Sequence, residues 1–438
     1  MKETIKKKLK TIVPESILIL RRRWMAWIQT KKRPYYWKKQ QIAYNREVKR
    51  LYGTQKPLNV VFMVLYSSVW KYDSVYKLME KDPRFNPQIL VCPVADYGKE
   101  HMVENFRPTV EMFRKKGYKV MSAYNEETRE YVNVNDLEPD LLMYAFQWSS
   151  HVDKRYNIYS LRKFLKCYVN YSFKNNPFEW SIASKEQGLM WMYFSECKEN
   201  MKLAQSFNPQ EFQNIHVVGY PIYDEVRALK EIGKDWKSKD KSLKRIIWAP
   251  HHSIEGSDLL IKLSTFLLFA EDMLEFKNKY KDKVQFAFKP HPQLKPALYK
   301  HKDWGKERTD AYYKEWEEGE NSSFVAGEYI DLFKSSDGMI HDSHSFTVEY
   351  LYVDKPVMFM TNYDRESQCN AVGKRAFAAH YHGTSREDIQ SFIENVIIGG
   401  KDTLSEKRHQ FYQDILVPPN GRSVAENIIN EITTALEI

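Results

Sequence analysis

The chain has 438 residues, enough for two or three ordinary domains, and its 43% hydrophobic and 14% aromatic content excludes a disordered protein. The net charge of +10 comes from one end: residues 1–50 hold 16 Lys/Arg against 3 Asp/Glu, and the remainder is close to neutral at −3. The body of the chain is therefore not basic, and we expect no nucleic-acid partner.

The N-terminal stretch alternates basic clusters with Trp, Tyr and Leu, a pattern typical of segments that lie on an anionic membrane surface. Its longest apolar run, Ser16–Leu20, is too short to span a bilayer or to form a signal-peptide core. We expect residues 1–55 to form a basic amphipathic extension that contacts a membrane surface through residues 1–50. A solvated helix and a nucleic-acid-binding arm are the alternatives.

Four cysteines lie far apart without paired spacing, which indicates neither a disulfide framework nor a CxxC metal site. No export signal is recognisable. The sequence therefore predicts a cytoplasmic protein, peripheral on the inner face of a bacterial membrane.

From residue 58 apolar runs alternate with helical patterns, which predicts a first doubly wound, Rossmann-like domain over 56–230. Its predicted strands are 58–65, 88–94, 141–146, 166–170, 191–195 and 215–218, and its predicted helices are 69–81 and 102–116. Residues 231–243 are mostly charged and are predicted to be a linker.

A second α/β series predicts another Rossmann-like domain over 244–438. Its predicted strands are 245–249, 284–288, 323–326, a short run from 337 and 356–360, and its predicted helices are 259–276, 296–301, 312–318 and 346–353. The expected fold class is α/β, with two doubly wound parallel-sheet domains facing a cleft.

Nine of the twelve histidines lie from His251 onward, and several directly follow a predicted strand. His251 and His252 follow one strand, His291 sits in Lys289-Pro-His-Pro after the next, and His341 and His344 follow a third. Because the carboxyl ends of parallel strands share one edge, where ligands bind, we expect these rings to converge. A solvated loop at His251-His252 and a merely rigid turn at His291 are the alternatives.

Residues 337–360 read as strand, polar turn, helix and strand, with Ser343 as a helix N-cap. The backbone N–H groups of such a helix start bind anions, although Asp342 and Ser343 could also simply cap the helix. A zinc site from His341, His344 and Asp342, or from His380 and His382, is disfavoured because the first group straddles a turn and no cysteine joins either. We therefore expect no metal.

This edge suits a phosphate or pyrophosphate group. Lys289 would supply a point charge, Ser343 and Ser345 would hold non-bridging oxygens, and His291 would donate to a leaving phosphate or move a proton. Glu349 would accept from ribose hydroxyls, or else form a surface ion pair. The chain has no GxxxxGK[ST] motif, which excludes an ATPase or kinase of that type.

The second half resembles the CDP-glycerol:poly(glycerophosphate) glycerophosphotransferases, the teichoic-acid and capsule polymerases with a GT-B fold. The resemblance depends on Val218-Gly-Tyr-Pro-Ile-Tyr-Asp224, Trp248-Ala-Pro250, Lys289-Pro-His-Pro292, Asp342-Ser-His-Ser-Phe-Thr-Val-Glu349, Lys355-Pro356 and Gly421-Arg-Ser-Val-Ala-Glu-Asn-Ile428. It implies a catalytic or diphosphate-handling role for His291 and a donor-nucleotide site at Ser343, Ser345 and Glu349. It also implies a nucleotide-activated donor, CDP-glycerol, with no further cofactor, and a lipid-linked saccharide or polyol acceptor.

One family motif is missing. Members carry Trp-His-Gly-Thr-Pro in the first domain, where this chain has Cys167-Tyr-Val-Asn-Tyr-Ser-Phe173. The base that activates the acceptor would then be His151, His251 or His252. The full expected donor-binding set is Lys289, His252, Asp342, Ser343, His344, Ser345 and Glu349. A sugar-nucleotide glycosyltransferase of the same fold and a non-catalytic membrane- or nucleic-acid-binding protein are the alternative functions.

Overall fold

The computed structural model describes residues 15–95, 98–230, 232–255, 263–361 and 363–438, and it describes side chains within these ranges except at 15–32 and 98–105. The basic cluster within residues 1–14 and the predicted helix start at 259 lie outside the described residues.

The first half contains a seven-stranded, all-parallel sheet of order β3-β2-β1-β4-β5-β6-β7. The central strands are covered on both faces, which is why they read as continuous apolar runs in the sequence. The strands are β1 (Leu58–Val64), β2 (Phe85–Val91), β3 (Val120–Ser122), β4 (Leu141–Tyr144), β5 (Leu165–Val169), β6 (Met192–Ser195) and β7 (Ile215–Val217).

The second half contains a six-stranded parallel sheet of order β10-β9-β8-β11-β12-β13. The predicted doubly wound α/β fold is thereby confirmed. The strands are β8 (Lys244–Ala249), β9 (Val284–Phe288), β10 (Ser322–Phe324), β11 (Gly338–His341), β12 (Val357–Met360) and β13 (Tyr381–Gly383).

Helices cover both faces of the two sheets. Among the described residues no helix has an apolar stretch long enough to cross a membrane. The α-helices are Glu15–Leu51, Asp73–Lys81, Gly98–Lys115, Glu179–Ile182, Lys185–Gly188, Lys198–Phe207, Ile222–Ala228, Phe266–Lys279, Leu294–Lys300, Gly305–Glu318, Ile330–Ser335, Phe346–Glu349, Ala371–Phe377, Arg386–Ser391, Ser405–Phe411 and Val424–Leu436.

The last helix, Val424–Leu436, packs its apolar face on the core of the first sheet although the sequence places it in the second series. The Asp224 carboxylate accepts hydrogen bonds from the Val424 and Ala425 backbone N–H groups at 2.9 Å. Gly219 permits the crossing, because its φ is +93° and a Cβ there would lie 2.9 Å from Pro418. The stretch 244–438 thus returns its final helix to the first half.

The charged segment predicted as a linker is held against the second half. Trp236 is buried and its indole N–H donates to Ser335 Oγ at 2.8 Å. The Asp331 carboxylate accepts from the backbone N–H groups of Gly233 and Lys234. One buried tryptophan among many charges thus anchors this stretch, and its assignment as a linker stays a prediction.

The long N-terminal helix docks on the first half from residue 33 onward. Tyr44 is buried and donates to the Leu189 carbonyl at 2.7 Å, and Arg33 pairs with Glu211 at 2.6 Å. Gln40 lies buried between the Arg162 carbonyl and the Lys166 ammonium. Residues 33–51 therefore belong to the packed surface of this half and are not a free extension.

Candidate functional site

The histidines after β8 and β9 meet at the carboxyl edge of the second sheet. Ring centroids lie 4.2 Å apart for His251 and His252, 4.0 Å for His252 and His291, and 5.1 Å for His251 and His291. The loops are tied together by a hydrogen bond from the His291 N–H to the Pro250 carbonyl at 2.9 Å. The structure thus brings these three rings together as the parallel order of their strands requires.

Asp342, in the turn after β11, connects that turn to the histidine cluster through hydrogen bonds of its carboxylate. Its carboxylate accepts from the His251 N–H at 2.5 Å, the Thr265 N–H at 2.6 Å and the Thr265 hydroxyl at 3.0 Å. Burial raises its pKa to about 6 in spite of these bonds. Because its oxygens serve the protein itself, Asp342 positions the His251 loop, and its expected place among the donor-binding residues stays a prediction.

The cluster carries little charge of its own. Burial, with smaller contributions from neighbouring histidines, lowers the pKa of His251 to about 2 and that of His291 to about 3, and burial also lowers the pKa of His252. Lys289 lies beside the rings with its pKa lowered to about 8 by burial, and its ammonium donates to the Gly327 carbonyl at 3.0 Å. At neutral pH the edge presents uncharged imidazoles next to one lysine.

The helix after β11 is shorter than predicted. It begins at Phe346 with Ser345 in the N-cap position, has no side-chain cap, and becomes a 3-10 helix after one turn. The prediction that Ser343 caps it is wrong, because the Ser343 N–H donates to the His341 ring and its carbonyl accepts from Thr347. So short a helix has a small dipole, and the predicted anion site at its start stays a prediction.

Glu349 lies at the contact between the two halves. Its buried carboxylate accepts from the Tyr220 hydroxyl of the first half at 3.2 Å and from the Tyr329 hydroxyl at 2.7 Å. Lys71, in the connection that follows β1, donates to the Tyr329 hydroxyl at 3.2 Å. Burial raises the pKa of Glu349. Glu349 is thus not in a surface ion pair, and its expected bond to a ribose stays a prediction.

Two cationic residues near His344 were not identified from the sequence. Arg365, after β12, is 1% exposed and its guanidinium contacts His344 Nδ1 at 2.5 Å. Lys174, after β5, is buried with its pKa lowered to about 8 by burial, and the neighbouring Asn175 amide donates to the His344 carbonyl. The signal was available, because both residues closely follow a strand, but neither belongs to a histidine motif.

His151 follows β4, the central strand of the first sheet. Its ring lies 5.7 Å from that of Trp148, which in turn lies 4.6 Å from Tyr171 after β5. His151 is therefore on the carboxyl edge of the first sheet, the edge from which Lys71 and Asn175 reach the second half.

The cluster of His251, His252 and His291 has ligand nitrogens within 4.8 Å of one another, close enough to suggest a metal site. However, Nδ1 of His251 accepts from the Ser253 N–H at 3.2 Å, and Nδ1 of His291 accepts from the Gln293 N–H at 3.1 Å. Metal-bound histidines instead donate a hydrogen bond through the second nitrogen. His251 and His291 therefore lack the donated bond that is usual for metal-bound histidines, and the expectation of no metal stays a prediction.

Two doubly wound parallel-sheet halves that face each other define a GT-B fold, and solved structures share it. A variant of the wall teichoic acid polymerase TagF matches with a TM-score of 0.55 at 13% identity, covering 94% of this chain and 97% of that chain. The S. aureus MnaA–UDP co-structure matches with a TM-score of 0.54 at 13% identity, covering 87% and 97%. A Neisseria meningitidis UDP-GlcNAc 2-epimerase bound to UDP-GlcNAc matches with a TM-score of 0.50 at 12% identity, covering 87% and 100%.

The family is given by the sequence match. The model of the CDP-Glycerol:Poly(glycerophosphate) glycerophosphotransferase family matches residues 181–434, more than half of the chain, and the protein belongs to this family. No curated protein sequence matches the chain.

Proposed function

We propose that the protein transfers glycerol phosphate from CDP-glycerol to a hydroxyl group of a lipid-linked glycan or polyol, in the synthesis of a teichoic-acid or capsule polymer. The observation that carries this proposal is the cluster of His251, His252 and His291 beside Lys289 at the carboxyl edge of the second sheet. In a member of this family such an edge is suited to the diphosphate of a nucleotide donor.

The acceptor oxygen attacks the β-phosphorus of CDP-glycerol, a new O–P bond forms, and the bond to the CMP oxygen breaks. The acceptor proton passes to an imidazole, and CMP leaves with the electron pair. Lys289 and the ring N–H groups stabilise the charge that develops on the departing phosphate. Catalysis of this kind comes mainly from positioning and electrostatic stabilisation.

The acceptor is held at the inner face of a bacterial membrane, where residues 1–50 contact anionic lipid. The basic and Trp-rich composition of this segment supports that contact. The docking of residues 33–51 on the first half supports it as well, because a membrane-bound segment would keep this half, and the acceptor site between the halves, close to the lipid surface.

The proposal is tested by incubating the purified protein with CDP-glycerol and a lipid-linked or polyol acceptor and measuring CMP release by chromatography. We expect release with CDP-glycerol and none of UDP or GDP from the matching sugar nucleotides. His291→Gln should lose turnover, and His409→Gln, at an exposed ring, should keep it. Release of UDP or GDP would instead identify a glycosyltransferase, and no turnover with any donor would favour a non-catalytic binding protein.

A further inference from the structure

Three of the four rings nearest the proposed diphosphate site have Nδ1 engaged by a group that can only donate. Nδ1 of His251 accepts from the Ser253 N–H at 3.2 Å, and Nδ1 of His291 from the Gln293 N–H at 3.1 Å. Nδ1 of His344 accepts from the Arg365 guanidinium at 2.5 Å. A neutral imidazole carries one hydrogen, so in each of these rings it lies on Nε2.

Ser253 makes a second contact with Nδ1 of His251. Its hydroxyl lies 2.8 Å from the same Nδ1 and itself accepts from the Leu263 N–H at 2.9 Å. Because the Ser253 N–H already points at this Nδ1, the nitrogen carries no hydrogen and the hydroxyl is the donor in the contact. The Nδ1 of His251 therefore receives two donors.

His252 differs from the other three. Its Nδ1 is buried without a hydrogen-bond partner, and the ring is half-buried and stacked on His291 with 30° between the ring planes. Neither ring nitrogen is committed to a fixed donor. Of these four rings, His252 alone can present a lone pair at Nε2 without breaking a hydrogen bond.

We propose that the rings divide the reaction between them: His251, His291 and His344 are fixed N–H donors to the donor diphosphate, and His252 is the base that takes the acceptor proton. Arg365 is then a positioning residue, because it sets the hydrogen of His344. The identity of the ligand in this assignment depends on the proposed function. The tautomers depend only on hydrogen bonds within the protein.

The fixed donors also stay uncharged when an anion binds. A second proton would have to enter at Nδ1, where an N–H group already points. Of the four rings, His252 is therefore the one that takes the proton of the acceptor hydroxyl. It gains this proton as the O–P bond forms and the bond to CMP breaks. It returns the proton to water after CMP has left.

The tautomers are measurable without substrate. In protein labelled with [15N-imidazole]histidine, the spectrum at neutral pH should show Nε2–H tautomers for His251, His291 and His344, assigned through single variants. Arg365→Leu should remove this signature from His344 only, Arg365→Lys should retain it, and Arg375→Leu, at an exposed arginine, should leave it unchanged. An Nδ1–H tautomer at any of the three rings in the wild-type protein overturns the assignment even if Arg365→Leu does not fold.

Kinetics with CDP-glycerol separate the two roles. His252→Gln should lower kcat by about a hundredfold to ten-thousandfold with little change in KM and remove the acidic limb of the pH profile, the loss of rate at low pH that protonation of the base causes. Arg365→Leu should raise KM and keep that limb. A normal kcat in His252→Gln refutes its role as the base. If no nucleotide substrate is turned over while the tautomers are as expected, the proposed function fails, but the assignment of the three rings as N–H donors stands.

Discussion

At the scale of single residues, the edge of the second sheet keeps several imidazoles neutral by burying them. Burial lowers the pKa of His291 and of His344 to about 3, aided at His344 by Arg365 and Lys174. A histidine in the unfolded chain titrates near 6.5. Below about pH 6.5 these histidines bind protons in the unfolded chain but not in the folded protein. The unfolding free energy therefore falls as the pH falls below about 6.5.

From pH 7 to pH 5.5 we expect each such ring to cost about 1 kcal/mol of unfolding free energy. Urea titrations at several pH values should show that the unfolding free energy of His344→Gln falls less steeply with falling pH than that of the wild-type protein. The difference should be the contribution of one ring, about 1 kcal/mol over this range. Lys302→Gln, whose side chain is 86% exposed, is the control and should keep the wild-type slope. An unchanged slope in His344→Gln would show that His344 is not held neutral.

The placement of site residues could be predicted from the sequence where it follows from the order of the strands. The meeting of His251, His252 and His291 needed only the ends of two adjacent parallel strands. The partners of Asp342 could not be predicted, because Thr265 comes from a segment distant in the sequence. The role of Arg365 depends on a tertiary contact with His344, and no local pattern encodes that contact.

At the scale of elements, the C-terminal helix is a structural part of the first half. Its N-terminus is closed by the Asp224 carboxylate, which accepts from two backbone N–H groups that otherwise have no partner within the helix. Asp224→Ala should reduce the unfolding free energy by about 1 kcal/mol or somewhat more, measured by urea denaturation.

The control is Asp414→Ala, which removes a half-exposed ion pair with Arg375 and should cost at most about 0.5 kcal/mol. Equal effects of the two substitutions would mean that Asp224 does not cap the helix. The sequence placed residues 424–436 in the second domain and could not assign them to the first half, since the apolar face of this helix would suit either sheet.

Long buried strands were predicted well, whereas two of the four short edge strands, β3 and β13, were missed. β1 and β4 are nearly continuous apolar runs and lie at the centre of their sheet. β3 and β13 have three residues each, lie at the outer edges and are partly exposed. These two strands bury too little surface to leave a hydrophobic pattern in the sequence.

At the scale of the whole molecule, Glu349 connects the halves directly through the Tyr220 hydroxyl and indirectly through Tyr329, whose hydroxyl accepts from Lys71 of the first half. Tyr220→Phe should lower the unfolding free energy by about 1 kcal/mol, because a buried hydrogen bond across the halves is lost. Tyr352→Phe is a matched control, since the hydroxyl of Tyr352 is buried without a partner. In the double variant with Glu349→Gln, the two effects should not add, and strict additivity would show that the residues are not coupled.

Two deletions in the N-terminal segment separate the proposed membrane contact from the packing of residues 33–51 on the first half. Deleting residues 1–32 should abolish sedimentation with anionic phospholipid vesicles and leave the unfolding midpoint nearly unchanged. Deleting residues 1–51 should also lower that midpoint, because Gln40, Tyr44 and Leu51 are buried against the first half. Undiminished vesicle binding after the shorter deletion would contradict membrane contact through this segment.

The central claim is that the carboxyl edge of the second sheet binds the diphosphate of CDP-glycerol, and calorimetric titration of CDP-glycerol tests it most directly. We expect binding to the wild-type protein that is tighter than that of UDP- or GDP-sugars. In His291→Gln it should weaken about tenfold to a hundredfold, because a hydrogen bond to a charged group is worth about 1.5–3 kcal/mol. Equal binding by wild type and His291→Gln, or binding of a UDP- or GDP-sugar in place of CDP-glycerol, would contradict the claim.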